Sequence, residues 1–183
     1  LRELAGQAEV IFICLPTPMK SDGSCDTSLV RAAVHEIDAL GLKNVVVIKS
    51  TVPPGTTEAL HNECKGLKGV VFSPEFLTEA NYLDDFKNQT RIIIGGEEPA
   101  KSIVKRLFTK AYPVVSTIKT SSTIAEMVKY MTNAFLMTKV AFANEIYQVC
   151  RALDIEYDKV VEYARYDERL GNTHWAVPGP DGK

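Results

Sequence analysis

Long apolar runs are absent. No stretch of the 183 residues approaches the roughly 18 consecutive apolar positions of a membrane-spanning helix, so no membrane partner is expected. Cysteine is scarce: four residues at irregular spacing, with no Cys-x-x-Cys pair. That excludes a zinc ribbon or dithiol motif and is read as reduced thiols in a cytoplasmic protein. Three histidines without ligand-like spacing argue against a metal centre. Charge of one sign is lacking too. The formal net charge is -2 and no Lys/Arg cluster stands out, which excludes the electrostatic footprint of a nucleic-acid or membrane-surface binder. The opening LRELAGQAEVIF has no signal-peptide pattern. Leu1 is not an initiator Met, and the chain reads as a piece of a longer polypeptide.

What is present is alternation. EVIFICLP, NVVVIKS, GVVFSP, TRIIIGG and YPVVST each carry a continuous Val/Ile/Phe block, the pattern of strands buried on both faces in a parallel sheet. Between them, Thr27–Leu40, Thr56–Cys64 and Pro99–Ala111 have apolar residues at helical spacing. These are Leu29, Ala33, Ile37 and Leu40 in the first, and Ile103, Leu107 and Phe108 in the third. Asp26 or Thr27 is placed to cap the first helix. The pattern predicts an α/β domain with a partial Rossmann-like parallel sheet over residues 1–116. From 117 to 183 it predicts a helical domain, incomplete as it stands. Its main feature is Thr120–Asp154, which has neither Pro nor Gly and spans about 50 Å as a helix. Ile124, Met127 or Val128, Met131, Phe135, Thr138, Phe142, Ile146, Val149 and Leu153 trace an apolar stripe along it, too long for a small domain to cover, and a partner chain is expected there; the plainer reading is that the remainder of the polypeptide covers it. A short helix, Asp158–Arg165, and a turn-rich tail follow.

Several polar residues fall where ligands bind in open α/β sheets, outside the carboxyl ends of strands. Pro16-Thr17-Pro18 ends the first strand; the plainer reading is a rigid exit. Ser50 and Thr51 end the second. Gly55-Thr56-Thr57 then opens a helix whose free N–H groups favour an anion; the plainer reading is turn and cap residues. Glu75 follows the third strand as a candidate general base, or as a solvated carboxylate. Lys129 and Asn133, at i and i+4, share one face of the long helix and form a donor-rich spot suited to a developing oxyanion. A solvated face is the plainer reading.

CLPTP (14–18), KSTVPPGTT (49–57), SPEFLTEANYLDDF (73–86) and KYMTNAF (129–135), in this order, resemble the UDP-glucose/GDP-mannose dehydrogenase family from about Glu9 to Gly182. The resemblance implies NAD as cofactor and oxidation of the C6 alcohol of a nucleotide sugar to a carboxylate. UDP-glucose 6-dehydrogenase activity ranks first, with GDP-mannose or a UDP-N-acetylhexosamine as alternative substrates. It implies that Pro16, Thr17 and Pro18 lie against the cofactor's ribose, with Ser50, Thr51 and Glu79 also on the cofactor side. Thr51 would hold a water or the reacting oxygen, and Glu75 would be catalytic. Lys129 and Asn133 would stabilise oxyanions and position the hydrolytic water. Phe76 and Leu77 would lie near the sugar nucleotide, with Asn81 and Asn144 as further candidates. Arg169 would reach the substrate of the neighbouring subunit of a homodimer built on helix 120–154.

Two parts that the resemblance calls for are not in this sequence. No G-x-G-x-x-G occurs, so the first βαβ unit is expected before Leu1. The family's nucleophilic Cys, in a Gly-Phe-Gly-Gly-x-Cys segment, is expected beyond Lys183. Cys14 in a strand, Cys64 and Cys150 in helices, and Cys25 in a loop do not replace it, so the chain alone is expected to be inactive. Two other readings stay open. One is a relative of the 3-hydroxyacid dehydrogenases, which share the Lys-x-x-x-Asn helix. The other is a non-catalytic dimerisation module.

Overall fold

A computed structural model describes residues 2–78 and 81–179. The chain forms two compact units, Leu1–Tyr130 and Met131–Lys183.

The first unit begins with helix α1 (Arg2–Gly6) and strand β1 (Val10–Ile13). Helix α2 (Ser28–Asp38), β2 (Val45–Ile48), α3 (Thr56–Glu63) and β3 (Gly69–Phe72) follow. Next come α4 (Tyr82–Lys87), β4 (Arg91–Gly96), α5 (Ala100–Ala111), β5 (Ser116–Thr120) and the start of α6 (Ser122–Ala152). The five strands lie in the order β1-β2-β3-β4-β5. β1, β2 and β3 are parallel, as are β4 and β5, but β4 runs antiparallel to β3. The mixed α/β class and mostly parallel sheet agree with the sequence reading. The reversal at β4 does not show in the apolar blocks, because a strand buried on both faces reads the same in either direction.

Alternation along the strands divides the core in two. Val46, Ile48, Val70 and Phe72 pack with Val30, Val34 and Ile37 of α2, Leu60 of α3 and Ala125 of α6. Val45, Val47, Val71, Ile92 and Ile94 face the other way, onto Ile103, Val104 and Phe108 of α5. Each fully buried aliphatic side chain of this kind stabilises the fold by about 1.5–3 kcal/mol.

Some expectations shift. The inward face of α2 is Val30, Val34 and Ile37, with Leu29 exposed; both sets have helical spacing, and the sheet contact selects between them. Leu107 is likewise exposed, while Val104 is buried. The last strand starts at Ser116 rather than at Tyr112, and Val114 in the preceding turn is 96% exposed. β5 has no buried residue, and β1 buries only Ile13 fully, because both are edge strands. Cys14 is exposed just past β1 rather than inside a buried strand. Thr27 is the α2 N-cap residue without a side-chain cap bond, and Asp26 Oδ1 instead accepts from the Ser28 N–H at 2.9 Å.

In the second unit, α6 packs with α7 (Tyr157–Ala164). Tyr147 and Tyr157 meet edge to face at 5.4 Å. The Tyr157 hydroxyl donates to Trp175 O at 2.6 Å, and Trp175 Nε1 donates to Gly171 O at 2.9 Å. The middle of the α6 stripe is uncovered, with Met131 66% and Phe135 64% exposed, while Phe142 meets Trp175 edge to face at 6.4 Å. Among the described residues no helix is long and apolar enough to cross a membrane.

Gly95 sets how closely α6 starts against the sheet. A Cβ at this position would lie 2.6 Å from Ser121 O and 2.7 Å from Ala125 Cβ, closer than packed atoms tolerate. Gly95→Ala is expected to cost about 2 kcal/mol through overpacking, measured as a lower midpoint in urea. An unchanged midpoint would show that this packing yields freely.

Candidate active site

The carboxyl ends of β1, β2 and β3 lie side by side because those strands are parallel and adjacent. The segments that leave them are tied together. Ser50 Oγ accepts from the Leu15 N–H at 2.8 Å, and Thr17 Oγ1 donates to Thr51 O at 2.7 Å. Pro16-Thr17-Pro18 and Ser50-Thr51 therefore form one ledge. The hydroxyls of Thr17 and Ser50 are spent within it. The half-buried Thr51 hydroxyl makes no hydrogen bond to the described residues.

Glu75 sits at the next strand exit. Lys129 Nζ, on the second turn of α6, donates to Glu75 O at 2.7 Å and to Glu75 Oε1 at 2.8 Å. The other carboxylate oxygen, Oε2, accepts from the Leu77 N–H at 2.7 Å. The lysine side chain is 6% exposed and the glutamate side chain 30%, so the pair is shielded on the lysine side and open on the other. Phe76 lies beneath two cations, with the Arg91 guanidinium 4.2 Å and Lys129 Nζ 5.6 Å from its ring centre, within cation–π range. A cavity of about 280 Å³ opens here, lined by Glu75, Phe76, Leu77, Lys49 and Arg91 with residues of the α4 segment.

Lys49, just past β2, donates to Pro74 O at 3.1 Å. Burial pulls its pKa from 10.5 down to about 8, against the opposing pull of Glu75 and Cys14 and with a small push from Lys129.

The N-terminus of α3 was expected to attract an anion, and its anion is part of the chain. Glu126, fully buried on the first turns of α6, accepts from the Gly55 N–H at 2.6 Å and the Thr57 N–H at 2.8 Å. Gly55 holds the N-cap position at φ 93°, a left-handed conformation that glycine adopts at no steric cost. Burial raises the Glu126 pKa, and the N–H groups of Thr57 and Gly55 pull it back.

The structure thus brings together Thr17, Ser50 and Thr51 in the ledge, and Glu75, Phe76, Leu77 and Lys129 in the neighbouring cluster. Asn133, Asn144 and Arg169 belong to the second unit. Asn133 is exposed, Asn144 Nδ2 donates to Val140 O of its own helix, and Arg169 is paired with Asp167 on the surface. Asn81 is the N-cap residue of α4, and Glu79 lies outside the described residues. Three residues of the cluster were not anticipated. Lys49 opens the KSTVPP segment, Arg91 opens the β4 block, and Glu126 stands three positions before Lys129. The last spacing is a sequence signal, since i and i+3 on a helix point the same way.

A polar ledge at the sheet's carboxyl edge, with a carboxylate–ammonium pair beside it, stands where open α/β domains carry their ligand sites. The comparisons specify the family. Residues 1–112 match the UDP-glucose/GDP-mannose dehydrogenase family, NAD binding domain, and residues 123–182 match its central domain. The chain belongs to this family. It is 37% identical over 172 residues to the UDP-glucose 6-dehydrogenase TuaD of Bacillus subtilis, covering 90% of this chain and 37% of that protein. Among solved structures, a UDP-glucose dehydrogenase from Pyrobaculum islandicum superposes with a TM-score of 0.84 at 34% identity, over 95% of this chain and 42% of that one. A GDP-mannose dehydrogenase from Pseudomonas aeruginosa gives 0.82 at 29% identity, over 96% and 43%. The chain therefore spans about two fifths of the length of these relatives.

NAD is the cofactor of this domain family. The residues present fit one part of it: the ledge offers the Thr51 hydroxyl and two proline-stiffened backbone stretches. The α3 N-terminus does not serve its phosphates, because Glu126 occupies those N–H groups.

Two outcomes are expected. Glu126→Ala leaves the buried Thr57 N–H and the part-buried Gly55 N–H without their partner and is expected to cost about 3 kcal/mol in urea unfolding; a loss below about 0.5 kcal/mol would mean that water replaces the carboxylate. For Lys49, the folded pKa lies below the unfolded one, so between about pH 8 and pH 10.5 the unfolded chain binds more protons. Its contribution to stability therefore rises with pH through that window. Relative to Lys49→Met, the wild type is expected to gain on the order of 3 kcal/mol from pH 7 to pH 11. Parallel stability curves for the two proteins would refute this.

Proposed function

We propose that the protein carrying this chain is a nucleotide-sugar 6-dehydrogenase that performs the NAD-dependent four-electron oxidation of UDP-glucose to UDP-glucuronate. The observation that carries the reading is the Glu75–Lys129 pair, held at 2.8 Å beside the strand-end ledge in a chain of this family. In this reading Glu75 accepts the proton of the C6 hydroxyl. Each of its oxygens uses one lone pair on Lys129 or Leu77, which leaves a second on each for a substrate proton or a water. Lys129 stabilises the negative charge that develops on the substrate oxygen. Asn133 acts with it, and Thr51 orients that oxygen or a water. NAD, when bound, accepts the hydride. Phe76 and Leu77 shape the sugar side, and Arg169 acts on the substrate of a second subunit. The uncovered middle of the α6 stripe supports a homodimer through that helix, and the expected location is the cytoplasm. The partial ledge and cluster alone are expected to give no turnover.

The test is NADH yield from the protein extended beyond both ends of this chain, offered UDP-glucose and GDP-mannose separately. Two NADH per UDP-glucose are expected. Two per GDP-mannose would keep the chemistry and change the sugar, an alternative favoured by the GDP-mannose dehydrogenase fold match. One NADH per sugar, or none, would overturn the four-electron reading. Lys129→Ala is expected to lower kcat by roughly 10²–10³-fold with a smaller effect on KM; an unchanged kcat would remove Lys129 from the reaction.

A further inference from the structure

The Glu75 strand exit is held by two lysines, and the proposed reaction uses only one. Lys129 Nζ binds the Glu75 carbonyl at 2.7 Å, and Lys49 Nζ binds the preceding carbonyl, that of Pro74, at 3.1 Å. They come from different layers. Lys49 continues the alternation of Val45 and Val47, which face α5, and its ammonium lies 5.9 Å from the Phe108 ring centre. Lys129 comes from α6, whose Ala125 packs in the other core cluster. Two consecutive peptide oxygens are thus gripped by two ammonium groups. Between them they fix the peptide that carries the Glu75 side chain.

We propose that Lys49 is a positioning residue for Glu75: its ammonium, by holding the Pro74 carbonyl, sets where the Glu75 carboxylate stands relative to Lys129 and Leu77. A surface lysine gains little from one carbonyl. This one is kept half-buried, against the cost of desolvating its charge, in the wall of the same cavity that Glu75 lines. The titratable groups facing it are Glu75, Cys14 and Lys129, with Asp84, Asp85 and Arg91 around the cavity. Because its proton is lost near pH 8, the grip weakens at mildly alkaline pH. A neutral amine still donates to Pro74, but more weakly than an ammonium. The Glu75 position is therefore tied to the Lys49 proton.

The catalytic consequence rests on the reading of Glu75 as the base; the test does not. The Leu77 N–H reports the carboxylate directly, since it donates to Glu75 Oε2 at 2.7 Å. Its amide resonance is followed by NMR in this chain from pH 6 to pH 10, with amide exchange measured at pH 7. In the wild type an inflection near pH 8 is expected. In Lys49→Met it disappears and the Leu77 amide exchanges about tenfold faster. In Lys49→Arg, which stays charged, protection is restored and the inflection is absent. A Leu77 amide that behaves alike in wild type and Lys49→Met overturns the proposal. Should Lys49→Met fail to fold, the wild-type titration and Lys49→Arg decide: a flat wild-type curve, or an arginine variant that keeps the inflection, overturns it. A normal Leu77 response in a protein whose extended form oxidises no sugar nucleotide would sink the role of Glu75 while supporting that of Lys49.

Discussion

The first unit depends on how the opening turns of α6 are fastened to the sheet's carboxyl edge, and the fastening is made by charge. Glu126 and Lys129 stand three positions apart on one helical face, both almost fully buried. Glu126 takes the two N–H groups at the start of α3, and Lys129 takes the carbonyl and carboxylate of Glu75. Buried charges of this kind are costly unless their hydrogen bonds are complete, and here they nearly are. The arrangement specifies register: a helix rotated by one residue would break four charge-assisted bonds, whereas an apolar contact tolerates sliding.

The ledge and the Glu75 cluster are consequences of that docking. Gly95 lets the helix start close to β4, and Ala125 enters the core beside Ile93. Lys129 then arrives at the strand exit with its stem shielded and only its head in reach of Glu75. Placement of the carboxylate is left to the backbone, which is why the Pro74 and Glu75 carbonyls matter as much as the side chain.

Much of this was legible in the sequence. Continuous Val/Ile blocks marked the interior strands β2 to β4, since burial on both faces leaves no polar alternation. The absence of Pro and Gly from 122 to 152 marked α6. Edges were less legible. Val114 and Val115 look like strand residues, but among the described residues no strand pairs with them, and the strand forms instead from the mainly polar run Ser116–Thr120, where β4 supplies a partner. Strand direction at β4 left no trace in composition. Within the site, Thr51, Glu75 and Lys129 stood at strand ends or helical spacing that a pattern exposes. Lys49 and Arg91 did not, because their significance lies in which backbone carbonyl or aromatic ring the fold brings against them.

The filled end of α3 has a further meaning for recognition. A free helix N-terminus is a general attractor: it draws any anion and orients none. With the Glu126 carboxyl already seated on the Gly55 and Thr57 N–H groups, those two donors are satisfied from within the chain and the second strand exit loses that attraction.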